Sequence, residues 1–528
     1  MGENNKCVGL RRLAMLLAAW LLTACAGLPP PVPNVPTHAL TDVAGTALAR
    51  TVAANGAHAP DLSGFRLLPE ASFAFDARIA LARRAEKTLD VQYYLIQNDD
   101  VGLLLLRELR DAAARGVRVR LLVDDLYMGG QDELFAVLAA QPKVEVRLFN
   151  PLPSRVASLP LRLALSLHEI RRINHRMHNK LMLADNSMAV MGGRNIANDY
   201  FMRSTAANYI DIDVLSCGPV VRDLSASFDR YWNSAQAWSI QTVAPLRLSP
   251  DAARRRFDQL VKAAAPDVPL EARDALDNPP VTEQLATGRL TMHWAPARVV
   301  ADDPAKITRT PEQAYKGSVI EATLQAFGQA QSELRISSPY FIPGQQGIEL
   351  MQHAIAQGRR ISVLTNSLGA TDEPLAYAGY ERYRTEMLRI GVEIQEIAPE
   401  ISARSGRFGT FGHSLSRLHA KLATIDRQRM VIGSMNLDHR SAAVNTEVGL
   451  IIDSPEAVAQ FNHLLGIDGA QPVNLGYVLR LSADGQRPEW IETTENGREI
   501  VHDDQPGRFI WLRIQNWLLL PMVGEELL

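Results

Sequence analysis

A strand-like run of residues followed by a helical pattern occurs twice along the chain, at corresponding places in its two halves. Residues 89–94 and 334–339 both start with an apolar residue and resemble each other, and each predicts a strand. A helical pattern follows in each half and ends at Gly116 or Gly358, and the next apolar run, residues 117–123 or 361–364, is typical of a buried strand. Strand, helix and strand at this spacing predict two similar α/β halves, each with a mixed, mostly parallel sheet flanked by helices.

The duplication is clearest in a motif of one histidine, one lysine and one aspartate with the spacing H-x-K-x4-D. It occurs at His178, Lys180 and Asp185, and again at His419, Lys421 and Asp426. Further positions repeat at the same separation: Gly192 and Gly433, Gly193 and Ser434, and Asn195 and Asn436. After a short shift of register, Asp211 aligns with Glu447. Two collinear copies are not a chance match, and they predict two half-sites that share one active site.

The residue types of the motif favour a phosphodiester as the bound substrate. Residues two apart on a strand face the same side, so each histidine is expected beside its lysine. An ammonium group repels a second cation, so we predict no metal and no other cofactor. We expect Lys180 and Lys421 to neutralise the phosphate, with amide donors from Asn195 and Asn436. Gly192, Gly193 and Gly433 allow the backbone to approach the phosphate closely, and Gly193 and its counterpart Ser434 are predicted phosphate-binding residues.

The two histidines are expected to divide the chemistry between them. One imidazole attacks phosphorus and forms a covalent phospho-histidine, and the other protonates the leaving alkoxide and then deprotonates the incoming alcohol or water. The repeat makes His178 and His419 nearly equivalent, so the motif leaves open which one is the nucleophile. Asp211 and Glu447 are the candidates for orienting the imidazole rings.

The N-terminal residues predict export and lipid anchoring. Lys6, Arg11 and Arg12 precede an apolar run at residues 13–24 that is too short to span a bilayer as an ordinary helix. The sequence Leu-Thr-Ala before Cys25 resembles the lipobox of bacterial lipoproteins, which implies a lipid-bearing Cys25 in the cell envelope. Ala26 follows in place of an aspartate, which favours the periplasmic face of the outer membrane over the inner membrane. An ordinary secretory signal is the alternative.

We therefore divide the chain into five predicted segments. They are a lipoprotein signal peptide (1–24), a lipid-anchored Pro-rich linker and N-terminal segment (25–65), a first half (66–245), a connector (246–315) and a second half with a C-terminal extension (316–528). The formal net charge of −3 indicates no broad basic surface for nucleic acid. Three cysteines are too few for a disulfide framework, and Cys217 is predicted to be a buried free thiol.

These motifs, with the trailing Gly-Gly-Arg-Asn and Gly-Ser-Met-Asn, resemble the phospholipase D superfamily over most of residues 66–455. Residues 91–94, 192–196, 294–304 and 520–528 resemble the bacterial cardiolipin synthase C group within it. The resemblance implies a metal-independent phosphatidyltransferase that forms cardiolipin from phosphatidylglycerol and a second phosphatidylglycerol or a phosphatidylethanolamine. It also implies that His178 is the nucleophile and His419 the acid/base. The predicted lipid anchor at Cys25 is a departure, since this group does not require one.

Several alternatives stay open from the sequence. A phospholipase D or phosphodiesterase that uses water as acceptor would need the same residues. A non-catalytic lipid-binding protein would require a decayed motif, and a nuclease a basic surface. The segment 159–167, followed by the basic residues His168, Arg171, Arg172, His175 and Arg176, indicates contact with a membrane surface, and the alternative is a buried helix with a solvated basic end. The same two interpretations apply to residues 509–520. The phospholipids and membrane are thus the expected partners, while an accessory protein and the oligomeric state are left open.

Overall fold

The computed structural model describes residues 28–30, 32, 34–56, 60–262, 270–467, 473–494 and 496–507. The leader, Cys25 and residues 508–528 lie outside the described residues, so the predictions made for them stay predictions. Among the helices that are described, none is both long and apolar enough to cross a bilayer.

The helices, in chain order, are α1 (Ala47–Gly56), α2 (Ala71–Arg84), α3 (Asp100–Ala114), α4 (Asp132–Leu138), α5 (Leu159–Leu165), α6 (Ile170–Ile173), α7 (Pro219–Trp232), α8 (Ile240–Val243), α9 (Pro250–Val261), α10 (Val281–Thr287), α11 (Pro311–Tyr315), α12 (Val319–Gly328), α13 (Gly344–Ala356), α14 (Pro374–Ile390), α15 (Pro399–Ala403) and α16 (Pro455–Leu464). Short 3₁₀ turns lie at Leu167–Glu169, Asn198–Tyr200 and Pro304–Thr308, and a π turn at Arg440–Val444.

The strands are β1 (Ser63–Leu68), β2 (Thr88–Tyr93), β3 (Arg118–Asp124), β4 (Val144–Phe149), β5 (Leu181–Ala184), β6 (Met188–Gly192), β7 (Ala207–Ile210), β8 (Asp213–Cys217), β9 (Ala237–Ser239), β10 (His293–Ala295), β11 (Ala297–Ala301), β12 (Glu333–Ser337), β13 (Arg360–Asn366), β14 (Glu393–Ile397), β15 (Leu415–Leu418), β16 (Leu422–Ile425), β17 (Arg429–Gly433), β18 (Val448–Ile452), β19 (Gly476–Leu481), β20 (Pro488–Thr493) and β21 (Glu499–His502).

Each half is built around one large sheet. The first sheet has nine strands in the order β10-β1-β8-β6-β5-β2-β3-β4-β9, and the second has ten in the order β11-β18-β17-β16-β12-β13-β14-β19-β20-β21. The run β1-β8-β6-β5-β2-β3-β4 of the first sheet corresponds strand for strand to β11-β18-β17-β16-β12-β13-β14 of the second. The predicted pair of similar α/β halves with mixed sheets is therefore confirmed.

The prediction that these sheets are mostly parallel is wrong. Only β2, β3 and β4 run parallel in the first sheet, as do β12, β13 and β14 in the second. The other neighbouring strands pair antiparallel, including those that follow the His-x-Lys segments. The reason is that β5–β6 and β16–β17 are hairpins, and a tight turn joins only antiparallel strands. The helical crossover pattern in the sequence extends over the parallel strands alone.

The connector is ordered where it is described, and it belongs to both sheets. Its strand β10 pairs with β1 of the first half, and β11 pairs with β18 of the second half. The structural boundary therefore falls at Pro296 and not at residue 316. The first sheet also begins earlier than predicted, at Ser63. Edge strands as short as β10 carry too little periodicity to be assigned from the sequence.

The two halves share a hydrophobic core, which places the interface between them at the centre of the molecule. One cluster contains Leu181 and Phe65 from the first half together with Leu418 and Leu422 from the second. Strands β7 and β15 pair in parallel across the two halves. Cys217 is buried, as predicted, and it has no disulfide partner in the part of the chain that the structure describes; burial raises the pKa of its thiol to about 12.

Candidate active site

Both His-x-Lys segments lie in extended chain that leads into the first strand of a hairpin, β5 or β16. The backbone N–H of His178 donates to the carbonyl of Thr446 at 2.8 Å, and that of His419 donates to Ile210 at 2.7 Å. Each histidine is thus tied to the residue before the orienting acid of the other half. The active-site residues meet at the interface between the halves.

The structure pairs each histidine with the acid of the opposite half. Nδ1 of His178 lies 3.1 and 3.0 Å from the two carboxylate oxygens of Glu447. Nδ1 of His419 lies 2.7 Å from Oδ2 of Asp211. Because the partners of Nδ1 are acceptors, Nδ1 carries the proton in both rings, and Nε2 of a neutral ring presents its lone pair. The repeat predicted the orienting acids but not this crossed pairing.

The two lysines are buried beside the histidines. Nζ of Lys180 donates to the backbone carbonyl of His178 at 2.6 Å, and Lys421 donates in the same way to His419. Burial and repulsion from Lys421 hold the pKa of Lys180 well below its usual range, although Glu447 opposes them. Burial also lowers the pKa of Lys421 to about 8. A buried ammonium pair of this kind gains from the arrival of an anion.

Burial likewise keeps both imidazole rings neutral. It lowers the pKa of His178 to about 4, against the opposing charge of Glu447. Burial and the neighbouring Lys421 lower the pKa of His419 well below 6.5. The pKa of Glu447 is lowered although burial alone would raise it, because His178 and Lys180 stabilise its charge. Burial raises the pKa of Asp211, so the two acids are not equivalent.

Gly193 and Ser434, which are predicted to contact phosphate, support the orienting acids. The Ser434 hydroxyl donates to Glu447 at 2.5 Å, and the Ser434 carbonyl lies 3.0 Å from Nδ1 of His178. At Gly193, a Cβ atom would lie 2.4 Å from Oδ1 of Asp211. The missing side chain therefore leaves room for the Asp211 carboxylate. Each residue thus supports the orienting acid of its own half, and its contact with phosphate stays a prediction.

The predicted amide donors lie in the site, with different partners. Nδ2 of Asn195 donates to the hydroxyl of Tyr200 at 2.9 Å. The backbone N–H of Asn436 donates to the Ser441 hydroxyl at 3.2 Å. The side-chain oxygens of both asparagines are buried and have no hydrogen-bond partner among the described residues. Their contact with a phosphate stays a prediction.

The motif aspartates lie at the far ends of the strands, away from the histidines. Asp185 accepts hydrogen bonds from the backbone N–H groups of Glu86, Lys87 and Thr88, at 2.7–3.2 Å. Both aspartates begin hairpin turns at positive φ, 50° for Asp185 and 51° for Asp426. They hold the chain just before β2 and β12. We therefore correct their predicted catalytic role to a structural one.

Asp426 repeats this arrangement in the second half. It accepts from the backbone N–H groups of Gln331, Ser332 and Glu333 at 2.7–3.0 Å. Burial alone would raise the pKa of Asp426, but these hydrogen bonds lower it. Both aspartates hold the chain before a strand in the same way, and this common structural role explains why aspartate occurs in both copies of the motif.

Sequence reasoning missed several tyrosines around His419. The Tyr200 hydroxyl lies 3.4 Å from Nε2 of His419, and the Tyr209 ring packs 5.0 Å from the imidazole. Tyr209 and Tyr340 both donate to Asp372 at 2.8 Å. Asp372 also favours the charged forms of His419 and Lys421. The only signal in the sequence is that Tyr200 follows the Gly-Gly-Arg-Asn run.

His178 has a different aromatic neighbour. The Tyr94 ring lies edge-on to its imidazole, with centroids 5.0 Å apart, and Nζ of Lys180 lies 5.2 Å from the same ring. No hydrogen bond to Nε2 of His178 is found among the described residues. Among the described residues, the two histidines therefore differ at Nε2, since that of His419 faces a hydroxyl and that of His178 does not.

Known proteins are similar to this chain in sequence and in fold. Residues 79–232 and 323–466 match the family described as "Cardiolipin synthase, PLD-like domain". Cardiolipin synthase C of Escherichia coli strain K12 is 36% identical over 462 residues, which cover 86% of this chain and 94% of that protein. Cardiolipin synthase A of Pseudomonas fluorescens is 25% identical over 407 residues, which cover 77% of this chain and 68% of that protein.

A solved structure extends the comparison to the fold. The phosphatidylserine synthase of Haemophilus influenzae superposes with a TM-score of 0.54 at 13% identity, covering 90% of this chain and 98% of that one. The duplicated fold and the crossed histidine pairs define an enzyme of the phospholipase D superfamily, which confirms the predicted resemblance. The chain belongs to the cardiolipin synthase family with phospholipase D-like domains.

Proposed function

We propose that the protein is a phosphatidyltransferase that forms cardiolipin from two phospholipids through a phospho-histidine intermediate. The observation that carries the proposal is the crossed site, in which two neutral, carboxylate-oriented imidazoles accompany two buried ammonium groups. A phosphodiester monoanion matches this charge, and it gains negative charge at its oxygens during displacement. The two lysines stabilise that charge without a metal ion.

In the first step Nε2 of His178 attacks phosphorus. The new N–P bond forms as the bond between phosphorus and the headgroup oxygen breaks, and a protonated His419 gives its Nε2 proton to the leaving alkoxide. The bound phosphodiester supplies this proton affinity, because its negative charge raises the pKa of His419. Glu447 stabilises the positive charge that develops on His178.

In the second step the chemistry runs in reverse with a new alcohol. Nε2 of the now neutral His419 takes the proton of the incoming hydroxyl, whose oxygen attacks phosphorus. The N–P bond breaks and restores His178. The free Nε2 of His178 and the Tyr200 hydroxyl on Nε2 of His419 support this assignment of nucleophile and acid/base.

The substrates proposed are phospholipids with a free headgroup alcohol as acceptor. Phosphatidylglycerol carries such a hydroxyl, and its attack on the phosphatidyl-enzyme yields cardiolipin. Phosphatidylglycerol or phosphatidylethanolamine is the proposed donor. The family match and the relatives named cardiolipin synthase support this choice. No metal or other cofactor takes part in the proposed steps.

We also propose that the protein is exported and lipid-anchored through Cys25, on the periplasmic face of the outer membrane. The apolar run at residues 13–24 and the small residues before Cys25 support this location. The Pro-rich linker continues from Cys25 toward the described N-terminal segment. There Asn34 donates to the carbonyl of Ala237 at 2.7 Å, so the linker runs onto the first half.

The test is a transfer assay with purified full-length protein in EDTA. Vesicles contain phosphatidylethanolamine and radiolabelled phosphatidylglycerol, and His419→Ala is compared with a control at the exposed histidine, His413→Ala. We expect labelled cardiolipin from the wild type and from the control, and none from His419→Ala. Phosphatidic acid as the sole product would show a phospholipase that uses water. Activity lost in EDTA would overturn the metal-free mechanism.

A further inference from the structure

The short helix α5 has the reverse of the usual amphipathic pattern. Its one buried residue is Arg162, whereas Leu161 is exposed and the other leucines are half-buried. Leu161 is 41% exposed, and just beyond the helix Leu167 is 59% and Ile170 49% exposed. Surface helices of globular proteins normally turn their apolar side chains inward. Three large apolar side chains are thus exposed within one stretch of ten residues, and exposed apolar groups that cluster in this way mark a surface for an apolar partner.

The polar side of this segment holds it firmly to the first half. The Arg162 guanidinium pairs with the Asp125 carboxylate at 2.6 Å and also donates to the backbone carbonyls of Ser154 and Asp125, at 2.9 Å each. Ser166 donates its hydroxyl to the Arg162 carbonyl at 2.7 Å. Buried ion pairing therefore anchors α5 to the first half through Arg162, while Leu161 stays exposed. We call residues 159–170 the apolar platform.

The basic residues in and just after the platform divide into two groups. Arg176 is buried against Asp124 at 3.2 Å, and Nδ1 of His175 lies 2.8 Å from the carbonyl of Val444. These two support the interior and do not face a headgroup, contrary to the sequence-based expectation. Arg171 and His168 are exposed at the edge of the platform. Cationic groups around an apolar patch suit a surface of lipid phosphates.

The platform adjoins the active site. The chain runs from Ile170 directly to His178, and half-exposed Tyr127 packs edge-on to Tyr94 with centroids 5.5 Å apart. Tyr94 in turn contacts the His178 ring. Contacts between aromatic rings thus connect Tyr127, at the surface, through Tyr94 to the proposed nucleophile, His178.

The platform also lies on the same edge of the first half as the N-terminal linker. Asn150, at the end of β4, donates through its backbone N–H to Gln236 at 2.8 Å and through its side chain to Arg172 at 3.0 Å. The neighbouring Ala237 carbonyl accepts from Asn34. Cys25 is only nine positions before Asn34 in the sequence. Such a length of chain spans at most about 30 Å.

We propose that the apolar platform inserts into a phospholipid surface and so presents the active-site mouth to its substrate. The lipid surface is chosen over a second copy of the chain because the platform adjoins both a phosphate-directed site and the linker to the proposed lipid anchor. This inference rests on the proposed function for its purpose. Insertion itself is a separate property that can be measured without catalysis.

The first test measures contact with acyl chains in the full-length protein. Leu161→Trp and Leu167→Trp are each mixed with phosphatidylglycerol vesicles whose acyl chains carry bromine, a short-range quencher of tryptophan. The matched control is Leu350→Trp, at a leucine of α13 in the second half that is 52% exposed. After subtraction of the parental emission, we expect quenching at both platform positions and none at position 350.

The possible outcomes distinguish between a lipid surface, another part of the chain and a second copy as the partner that covers the platform. Emission from position 161 that is neither quenched nor altered by vesicles would overturn the proposal. A blue-shifted, unquenched signal that is present without vesicles would show cover by another part of the chain or by a second copy. Sedimentation of wild type and of Leu161→Ser/Leu167→Ser would then tell these two apart. Quenching in a protein that forms no cardiolipin would leave insertion standing and the proposed function refuted.

A second test links insertion to catalysis. In Leu161→Ser/Leu167→Ser, activity on vesicles should fall on the order of tenfold, since two exposed leucines no longer transfer to the apolar phase. Activity on short-chain phosphatidylglycerol below its micelle concentration should stay unchanged, because no surface is needed. Leu350→Ser should match the wild type in both assays. An equal loss on both substrates would point to damage at the active site and overturn the docking role.

Discussion

The two half-sites carry the same motif, yet their surroundings differ at the atom that performs the chemistry. His178 is oriented by a glutamate whose carboxylate is held by the Ser434 hydroxyl, and no described residue hydrogen-bonds to its Nε2. His419 is oriented by the shorter Asp211, and its Nε2 faces Tyr200. Duplication therefore conserved the lysine and the orienting acid, while the neighbours of Nε2 became specialised. Equal motifs therefore do not imply equal roles.

The largest effect is expected from removing each histidine. His178→Asn and His419→Asn should each lower kcat for phospholipids by about 10⁴-fold, the upper range for acid–base and nucleophilic groups. A phosphodiester with a p-nitrophenolate leaving group separates them, because that group leaves without a proton. His419→Asn should still release a burst of nitrophenolate and retain labelled phosphate, whereas His178→Asn should not. A burst from His178→Asn would reverse the assigned roles.

The next effect tests the crossed pairing. Glu447→Gln and Asp211→Asn should each lower kcat on the order of 10²–10³-fold, since the ring loses its orienting charge. With the nitrophenyl substrate, the burst should be slowed in Glu447→Gln and kept in Asp211→Asn. The reverse pattern would mean that each acid serves the histidine of its own half. Circular dichroism spectra of both variants provide the folding control.

The motif aspartates should affect stability more than turnover. Asp185→Ala leaves the backbone N–H groups of buried Thr88 and of Glu86 and Lys87 without their acceptor, so it should reduce the free energy of unfolding by about 3 kcal/mol. Asp426→Ala should cost a fraction of that, because water reaches the exposed N–H groups of residues 331 and 332. Urea denaturation gives both values. A large loss of kcat per folded molecule would restore the catalytic role predicted for the aspartates.

The pH profile sharpens the comparison of the lysines. Lys421 is charged below its pKa of about 8 and neutral above it, so kcat/KM should fall as pH rises through 8. The pKa of Lys180 is also lowered, so the wild-type slope should approach about two decades per pH unit when both charges are lost. Lys421→Arg keeps its charge, and the slope should fall to about one decade per unit. An unchanged alkaline limb would show that Lys421 is not the titrating group.

On the acid side, rates should fall below pH 4, where His178 becomes protonated.

The smallest expected effect belongs to Tyr200, a positioning residue. Tyr200→Phe removes the hydroxyl that faces Nε2 of His419, so the pKa of that histidine should rise and kcat should change by about threefold to tenfold. The shift should appear in the pH dependence of transfer to phospholipid acceptors. Tyr94→Phe is the matched control, because Tyr94 contacts His178 through its ring alone. A profile unchanged from wild type would give Tyr200 a packing role only.

The internal repeat was sufficient to predict two α/β halves, the two histidines, the two lysines and the pair of orienting acids. These features depend on residue type and spacing, which a sequence displays directly. Residues i and i+2 share a face in any extended chain, so each histidine and lysine could be paired before the fold was known. The strand–helix–strand pattern in each half also predicted parallel strands, but it did not predict the antiparallel hairpins that follow them.

Only the tertiary structure decided how the halves combine. Glu447 serves His178 across 269 positions of the chain, and Asp211 serves His419 across 208 positions. A repeat aligns equivalent positions, but it does not tell whether each histidine pairs with the acid of its own half or with that of the other half. The same limit applies to Gly193, where the space is filled by a carboxylate, and to Arg162, the one buried residue of α5. Contacts of this kind depend on long-range packing, whereas sequence periodicity reports only the neighbours along one strand or helix.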